Sequence, residues 1–489
     1  MKKHWVALFV LINLFSCVAA QQETVINAKY NFIQNDSALK MVMNKLNRLK
    51  NNADSNFVVA HFGDSHIQGD NFSGVIRNNF QQAFGSGGEG ILFPYSVCKS
   101  FGPKNLATKI TGTWSFATLL KNPEKYQIGA TGYTLVTKDR TAEISFIYSP
   151  TGGVQYGNNK IFETVTIWHS SNNFRLRLVN NGSADAIYPD SIRSSNGLYR
   201  TIITNYRIGS ELKLQFESKG SETIFNFHGI SFENQSQHGL QYSHCGVVGA
   251  TFTQLIAQQE FTIAHLKEMK PDLLIFSYGS NESYAADLDL NEYYQKVLKF
   301  IQRIKIEFPN AGIIFTNTPD TRSGNRIPPN TKAINEKLKL IATETNAAYW
   351  DLNAIMGGTN SIFYWLKNGL AGKDQLHFTK SGYRLQANLF SLAFLEIYNE
   401  EFKTIQSFCD TLQTKIEKQL NPLNDIPKFT EQTITNPAQS EQTHFVKKGE
   451  TLSIIALQYK VTVKQLCEWN GISEKSVIQV GQKLVIRKI

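Results

Sequence analysis

The residues whose types and spacing could support chemistry lie in four short segments of the chain. The first reads GDSH at positions 63–66 and directly follows a short apolar run. Two glycine-containing segments follow, GVVGAT at 246–251 and YGSNES at 278–283, and the last reads DQLH at 374–377. These residue types permit two kinds of site. In one kind of site, Asp64 and His66 bind a metal ion. In the other, Ser65 is a nucleophile.

A metal site would use Asp64 and His66, whose spacing is that of the D-x-H opening of a two-metal phosphoesterase. Two divalent ions need further imidazole ligands, commonly from a late pair of histidines. The only histidines after His265 are His377 and His444, and His444 lies in a separate C-terminal segment. The sequence therefore favours the serine and predicts neither a metal nor another cofactor.

A serine nucleophile needs a histidine that accepts its proton, a carboxylate that orients the histidine, and donors for an oxyanion. Asp374 and His377 are three residues apart, so both side chains can point toward one sheet edge. The segments around Gly249 and Asn281 follow strand-like runs and can bring N–H groups to Ser65. Each residue alone also fits a turn or a helix cap, but their combination favours catalysis.

The elements that must position these residues are apolar strands that alternate with helices. Strands are predicted at residues 57–62, 272–279, 311–318 and 347–352, and helical segments at 37–50, 69–84, 292–308, 330–345 and 382–419. Ser37 is the predicted N-cap of the first helix. Alternation of apolar strands with helices predicts an α/β domain with a parallel sheet that is covered on both faces.

Between residues 95 and 240 the pattern changes to short alternating runs that are broken by Gly, Asn and Ser. Period-two alternation predicts strands with one buried face, and we expect an all-β sandwich inserted into the α/β domain. Trp114 or Trp168 could stack on a sugar ring there, although each also fits the core.

The order Gly-Asp-Ser, Gly, Gly-x-Asn and Asp-x-x-His resembles the SGNH or GDSL hydrolase superfamily. The resemblance covers roughly residues 57–398 with the β insertion set aside, and it implies a flavodoxin-like three-layer αβα domain. Carried over by position, it makes Ser65 the nucleophile, His377 the general base and Asp374 the carboxylate that orients the base.

The resemblance also implies an oxyanion hole formed by the Ser65 N–H, Gly249 and the Asn281 side chain. Gly249 is preferred to Gly246 because the family's glycine precedes a small residue and Thr. One departure is Glu282, where many members have Asp; that position is not catalytic in the family. His66, beside the nucleophile, is given an auxiliary or structural role.

The last segment, residues 443–489, resembles a LysM domain along nearly its whole length. The matching residues are Val446, Gly449, Glu450, Thr451, Leu452, Ala456, Tyr459, Leu466, Asn470, Ile478, Gly481, Gln482, Lys483 and Leu484. The resemblance implies a βααβ fold that binds N-acetylglucosamine-containing glycans, chiefly peptidoglycan or chitin. Binding residues are expected in loops near 449–452 and 477–481.

The N-terminus has the pattern of an export signal. Lys2 and Lys3 precede an apolar run at residues 5–15 and small residues that end at Ala20. We expect cleavage after Ala20 and a location in the periplasm or cell envelope. Because LFSC loosely resembles a lipobox, Cys17 as a lipid-bearing N-terminus stays an alternative.

Charge and cysteine usage exclude two further classes of function. The formal net charge is +10, but Lys and Arg are dispersed, so nucleic acid is not an expected partner. Beyond Cys17, the chain has Cys98, Cys245, Cys409 and Cys467, without metal-site spacing. Buried or free thiols are favoured, and one disulfide stays possible.

The sequence thus predicts an exported serine esterase that removes O-acetyl groups from peptidoglycan through an acyl-enzyme and is held to the glycan by LysM. The β-rich insertion is also similar to that of peptidoglycan O-acetylesterases. Alternatives are an acetyltransferase, an esterase for another acylated polysaccharide such as xylan, and a non-catalytic wall-binding protein. The predicted layout is signal peptide 1–20, hydrolase domain 21–94 and 241–419, β-sandwich 95–240, linker 420–442 and LysM 443–489.

Overall fold

The structure is a computed structural model that describes residues 25–54, 56–149, 161–170, 174–179, 191–193, 197–218, 224–234, 239–324, 326–424, 442–446, 450–459, 461–473 and 476–487. The predicted signal peptide with Cys17, most of the predicted linker, and Gly449 lie outside the described residues. The chain divides into two compact units, Met1–Asn424 and Asp425–Ile489, and each is described by itself.

Strands and helices are numbered in chain order over the described residues. The strands are β1 (Ile33–Gln34), β2 (Asn56–Gly63), β3 (Gly88–Leu92), β4 (Leu106–Thr111), β5 (Ser115–Thr118), β6 (Tyr133–Thr137), β7 (Glu143–Tyr148), β8 (Ile161–Ser170), β9 (Phe174–Val179), β10 (Ser191–Arg193), β11 (Tyr199–Arg207), β12 (Glu211–Ser218), β13 (Phe225–Glu233), β14 (Gly239–Gly246), β15 (Leu273–Ser277), β16 (Gly312–Thr316), β17 (Ala348–Trp350), β18 (Gln442–Phe445) and β19 (Lys483–Arg487). The α-helices are α1 (Lys40–Lys50), α2 (Ser65–Gln68), α3 (Ser73–Phe84), α4 (Phe252–Ala257), α5 (Gln259–Met269), α6 (Leu290–Glu307), α7 (Thr331–Glu344), α8 (Leu352–Met356), α9 (Ser361–Lys367), α10 (Lys380–Phe402), α11 (Gln406–Asn424), α12 (Leu452–Gln458) and α13 (Val463–Asn470). Short 3-10 helices span Ala28–Tyr30, Asp36–Leu39, Tyr95–Cys98 and Glu282–Tyr284. None of these helices combines the length and apolar content needed to cross a bilayer.

The larger unit is built on a sheet with the strand order β1-β17-β16-β15-β2-β14, in which all neighbours are parallel except β1 and β17. Successive residues of a strand point to opposite faces. Leu274 and Phe276 of β15 share a core with α6 and α7, whereas Leu273 and Ile275 share a core with α1, α3 and α10. Helices therefore cover both faces, as the alternation of apolar strands and helices predicts.

The first helical segment begins differently from the prediction. It starts as a 3-10 turn over Asp36–Leu39, and α1 follows with Leu39 at its N-cap position. Asn35 precedes the turn at φ +55°, and the Ser37 hydroxyl donates to the Asn35 amide oxygen at 3.2 Å. The Ser37 hydroxyl thus bonds to a residue that precedes it and does not accept a hydrogen bond from an N–H group of the first helical turn. The predicted N-cap at Ser37 was therefore wrong.

Two antiparallel sheets form the β-rich part of the larger unit. One has the order β10-β11-β8-β13-β6-β5, with β3 added on β13, and the other has the order β4-β7-β12-β9. Phe146 of one sheet stacks on Phe227 of the other at 5.5 Å between ring centroids. Strand β3 lies ahead of residue 95, so pairing with the β-rich part begins earlier in the chain than the predicted boundary. Trp168 is buried in the core, whereas Trp114 is partly buried and packs against the core through Phe216, at 5.4 Å between ring centroids.

A buried ionic cluster joins α3 to the β-rich part. Arg77 donates to both oxygens of Asp70, at 2.6 and 3.2 Å, and its Nε lies 3.3 Å from Glu89. Glu89, on β3, also accepts hydrogen bonds from the Tyr148 hydroxyl at 2.6 Å and from the Asn105 amide at 3.2 Å. Charges this deeply buried persist only when they are paired and hydrogen-bonded, as these are.

The C-terminal unit contains the antiparallel pair β18 and β19, with α12 and α13 between them in the chain. Its small core includes Leu452, Ile455, Leu466 and Leu484. The Asn470 amide donates to the Val485 carbonyl and accepts from the Val485 N–H, both at 2.7 Å, and so ties α13 to β19.

The four cysteines that lie in the described residues, Cys98, Cys245, Cys409 and Cys467, are buried. Burial raises the pKa of Cys98 to about 12, so this thiol is protonated and unreactive near neutral pH.

Candidate active site

Ser65, His377 and Asp374 form one hydrogen-bonded chain at the carboxyl end of the parallel strands. The Ser65 Oγ lies 3.0 Å from the His377 Nε2, and the His377 Nδ1 lies 2.8 Å from an Asp374 carboxylate oxygen. A carboxylate partner at Nδ1 favours the tautomer whose proton is on Nδ1, which leaves Nε2 free to accept the serine proton. Ser65 precedes Asp374 by 309 positions and His377 by 312 positions in the sequence. The fold thus joins residues from distant parts of the chain in one hydrogen-bonded series.

Ser65 is presented by a sharp turn from strand to helix. Strand β2 ends at Gly63, and α2 begins at Ser65 with the Asp64 carboxylate accepting the His66 N–H at 2.9 Å. A Cβ at Gly63 would lie 2.8 Å from the Ser277 carbonyl oxygen of the neighbouring strand. Glycine is therefore required for the turn to pack this close to the sheet.

The base and its carboxylate sit on a tight turn that precedes α10. Asp374 accepts the N–H groups of Leu376 and His377, at 3.2 and 3.1 Å, in addition to the imidazole. Burial alone would raise the pKa of Asp374, but the hydrogen bonds from His377 and Leu376 outweigh it, and the pKa is lowered. The side chains of His377 and Asp374 are 37% and 51% exposed, so a polymeric substrate can reach them.

Gly249 lies in the loop between β14 and α4 at φ +79°, a conformation that favours glycine. Within the described chain its N–H has no acceptor, whereas its neighbours in the loop are all bonded. The bonded N–H groups are those of Val247, Val248, Ala250 and Thr251. The Gly249 N–H is thus available to a ligand. Gly246 instead packs against α2, where an added Cβ would lie 2.6 Å from the Gln68 Cα.

Asn281 directs one hydrogen of its amide group to the Ala250 carbonyl oxygen at 2.9 Å. This bond fixes Asn281 beside the Gly249 loop and leaves the second amide hydrogen for an oxyanion. The Ser65 N–H also has no acceptor among the described residues. These three donors lie on the three segments in which the oxyanion hole was predicted.

Glu282 is a buried residue of the site whose role could not be inferred from the sequence. Its side chain accepts the Phe252 N–H at 2.6 Å, at the start of α4. Burial raises the pKa of Glu282 to about 7. The bond between Glu282 and Phe252 and the bond from Asn281 to Ala250 together join residues 279–284 to the loop that contains Gly249. A charged residue inside an otherwise uncharged turn was the only signal for it in the sequence.

We expect Glu282→Gln to remove a pH-dependent loss of stability. The folded chain holds the Glu282 proton up to a pKa of about 7, against an ordinary value of 4.5. The stability that the protonated Glu282 side chain contributes is therefore complete below pH 4.5 and is lost as the pH rises through 7, by ~3.5 kcal/mol at about 1.4 kcal/mol per pH unit. Urea unfolding of both proteins across this range should show the variant gaining relative stability as pH rises; parallel curves would contradict the assignment.

Asp64 and His66, the alternative metal ligands, are used in other ways. Asp64 caps α2, and His66 Nδ1 lies 2.9 Å from the Tyr383 hydroxyl. The His66 ring packs 5.5 Å from the His377 ring, between centroids, and so supports the base from one side. Among the described residues, no three metal-ligating side chains converge.

Comparison with known protein families gives one match in each of the two units of the chain. The GDSL-like Lipase/Acylhydrolase family matches residues 228–385, and the LysM domain matches residues 444–487. The first match contains Gly249, Asn281, Asp374 and His377, while Ser65 lies ahead of it.

Similar proteins and a similar structure were also found. The chain is 51% identical over 45 residues to the N-acetylmuramoyl-L-alanine amidase XlyA of Bacillus subtilis and 34% identical over 77 residues to the probable endopeptidase p60 of Listeria monocytogenes. These segments cover 9% and 16% of this chain, and they span only 15% and 16% of the relatives' length.

A solved structure of a peptidoglycan O-acetylesterase has a similar fold. It aligns with 77% of this chain and 99% of its own, with a TM-score of 0.60 and 22% sequence identity. Together the family matches confirm the resemblance of the chain to GDSL-like acylhydrolases and, in the C-terminal segment, to LysM domains. The chain contains a domain of the GDSL-like lipase/acylhydrolase family, an enzyme family of ester hydrolases, followed by a LysM domain.

Proposed function

We propose that this protein is an exported serine esterase that removes O-acetyl groups from peptidoglycan through an acetyl-enzyme. The observation that carries the proposal is the hydrogen-bonded chain from Ser65 through His377 to Asp374 in an acylhydrolase domain. The accompanying LysM domain and the fold shared with a peptidoglycan O-acetylesterase support the choice of substrate.

In the first half of the reaction, the Ser65 oxygen attacks the acetyl carbonyl carbon while His377 Nε2 takes the hydroxyl proton. The negative charge that develops on the carbonyl oxygen is stabilised by the N–H groups of Ser65 and Gly249 and by the Asn281 amide. Asp374 stabilises the imidazolium. The tetrahedral intermediate then expels the sugar oxygen, which leaves as a hydroxyl after taking the proton from His377.

In the second half, water enters the position vacated by the sugar. His377 removes one water proton as the water oxygen attacks the acetyl carbon, and the same donors stabilise the second oxyanion. Collapse of this intermediate breaks the bond to Ser65 and releases acetate, and the Ser65 oxygen regains a proton from His377. No metal takes part in these steps, and we expect EDTA to leave the rate unchanged.

The proposal assigns the remaining segments to delivery and attachment. Residues 1–20 direct export to the periplasm or cell envelope, with lipidation at Cys17 as the alternative form of the N-terminus. The region 95–240 is an inserted β-sandwich, and the C-terminal unit is a βααβ LysM module that binds N-acetylglucosamine-containing glycan.

Removal of the C-terminal unit tests the attachment. We expect a chain that ends at Asn424 to hydrolyse a soluble aryl acetate at the wild-type rate, since the triad lies wholly in the first unit. On insoluble O-acetylated peptidoglycan its activity at limiting enzyme should fall, by ~100-fold if the effective concentration supplied by tethering is lost. Equal activity of the full and the shortened chain on insoluble peptidoglycan would contradict the assignment, whereas equal loss on both substrates would point to a folding defect.

Substrate choice and reaction type are tested by product analysis. The purified protein is incubated with O-acetylated peptidoglycan and acetylated xylan, each with and without added free sugar as acceptor. The proposal predicts faster acetate release from peptidoglycan and no gain of acetylated acceptor. Faster release from xylan would identify another polysaccharide esterase, transfer that exceeds hydrolysis would identify an acetyltransferase, and inactivity on both would favour a non-catalytic binding protein.

A further inference from the structure

The loop between β16 and α7, in its described residues 317–324 and 326–330, lies against two of the segments that form the site. The Arg322 N–H donates at 2.8 Å to the carbonyl of Gln375, which lies inside the turn of the acid and base. At the other end of the loop, the Asn330 N–H donates at 3.2 Å to the carbonyl of Ser283, two residues beyond the amide donor of the oxyanion hole. The loop thus contacts both the turn that contains Asp374 and His377 and the segment that contains Asn281.

Two arginines of this loop are supported by aromatic rings. The guanidinium carbon of Arg322 lies 4.4 Å from the ring centroid of Phe363, and that of Arg326 lies 5.4 Å from the ring centroid of Tyr284. Arg322 also donates to the Asn360 side chain at 2.5 Å, and Arg326 donates to the Tyr284 carbonyl at 2.6 Å. A guanidinium has five N–H donors in one plane, so stacking and one hydrogen bond leave further donors for a planar acceptor.

Neither arginine forms an ion pair with an acid of the described chain within 4 Å. Asp320, on the same loop, accepts the Ile362 N–H at 2.9 Å, and Asp374 bonds to His377. Burial raises the pKa of Asp320, and the charge of Arg322 opposes this rise without a direct ion pair. Burial raises the pKa of Tyr284, the Thr321 side chain and the charge of Arg326 lower it, and Asp320 and Asp374 raise it further. The loop that bears these positive charges is thus bonded to the turn that contains Asp374 and His377, and neither guanidinium forms a direct ion pair within the described chain.

We propose that Arg322 and Arg326 bind carboxylates of the substrate and select an anionic glycan over a neutral one. This inference rests on the proposed function. In peptidoglycan, the muramoyl sugars bear peptides with free carboxylates, so an ester on this glycan has anionic groups close by. Acetylated xylo-oligosaccharides lack such peptides. Arginine suits carboxylate recognition because its planar donors match the two carboxylate oxygens.

The test compares soluble O-acetylated peptidoglycan fragments with the same fragments after their carboxylates have been amidated. The variant is the full chain with both Arg322→Gln and Arg326→Gln, and the matched control is Arg207→Gln, an exposed arginine at the end of β11 in the β-rich part. We expect the wild-type preference in kcat/KM for anionic over amidated fragments to fall about tenfold in the double variant, mainly through KM. The preference should persist in the control and return in part when both arginines are replaced by lysine.

Salt supplies a second readout, since added NaCl should weaken the wild-type preference and have little effect on the double variant. An equal loss of activity on both fragment types would indicate a structural role for the loop and overturn the inference. A wild type that hydrolyses both fragments equally would overturn it while the proposed function stands. A wild type that cleaves an aryl acetate but neither fragment would reject the proposed function, and this inference with it.

Discussion

Ser65→Ala is expected to lower kcat for a small aryl acetate by about 10⁴-fold or more, because it removes the atom that attacks the carbonyl. The proposed oxyanion donors remain, so a small residual rate above the uncatalysed reaction is expected. The Ser65 hydroxyl bonds to His377 and to no other described side chain. Its loss should therefore change the free energy of unfolding by less than about 0.5 kcal/mol.

His377→Ala supplies the complementary test, because the two residues act as a unit. If His377 is the base for Ser65, each single variant loses the same step, and the double variant should be no slower than the slower single one. Additive losses in the double variant would mean that the residues act independently, which the 3.0 Å contact between them argues against. Near-wild-type turnover in either single variant would exclude the triad.

Arg77→Met is expected to have the largest effect on stability, a loss of about 3–5 kcal/mol. The side chains of Arg77, Asp70 and Glu89 are 5%, 7% and 2% exposed. Removal of the guanidinium leaves two carboxylates buried without their cation, while Tyr148 and Asn105 can stabilise only Glu89. The matched control is Arg48→Met, because the side chains of Arg48 and its ion-pair partner Asp54 are 54% and 29% exposed and this pair should contribute less than about 1 kcal/mol.

The effect of Arg77→Met should depend on pH. Burial raises the pKa of Asp70, but Arg77 and His244 outweigh it, and the pKa lies below its ordinary value of 3.8. The wild type therefore has the stabilisation above pH 3.8 and loses it as the pH falls through the native pKa. Urea unfolding near neutral pH and near pH 3 should give a smaller difference between the two proteins at the lower pH. A difference below about 1 kcal/mol at neutral pH would show that the cluster contributes little.

The parallel sheet could be predicted because buried parallel strands are apolar runs, as in β2, β15 and β16. Strand β3 could not, because its sequence GEGIL contains two glycines and an acid that is unfavourable in a buried strand. The acid is Glu89, and it is tolerated only because Arg77, Tyr148 and Asn105 come from distant parts of the chain. These three partners come close to Glu89 only when the chain folds.

For the site, motif order predicted which segments lie together, since residues that follow parallel strands meet at one edge of the sheet. Contacts that depend on the details of loop packing had no local signal. The bond from Phe252 to Glu282 and the bond from Arg322 to Gln375 connect residues 30 and 53 positions apart. Helical or strand periodicity does not relate residues this far apart, so neither contact could be predicted from the sequence.

The most direct test of the proposed function is acetate release from O-acetylated peptidoglycan by the purified protein, measured beside Ser65→Ala and beside an O-deacetylated sample of the same glycan. The proposal predicts release by the wild type and background levels in both other reactions. Release by Ser65→Ala at the wild-type rate would contradict the assignment of Ser65 as the nucleophile. Absence of release by a wild type that still hydrolyses an aryl acetate would contradict the substrate.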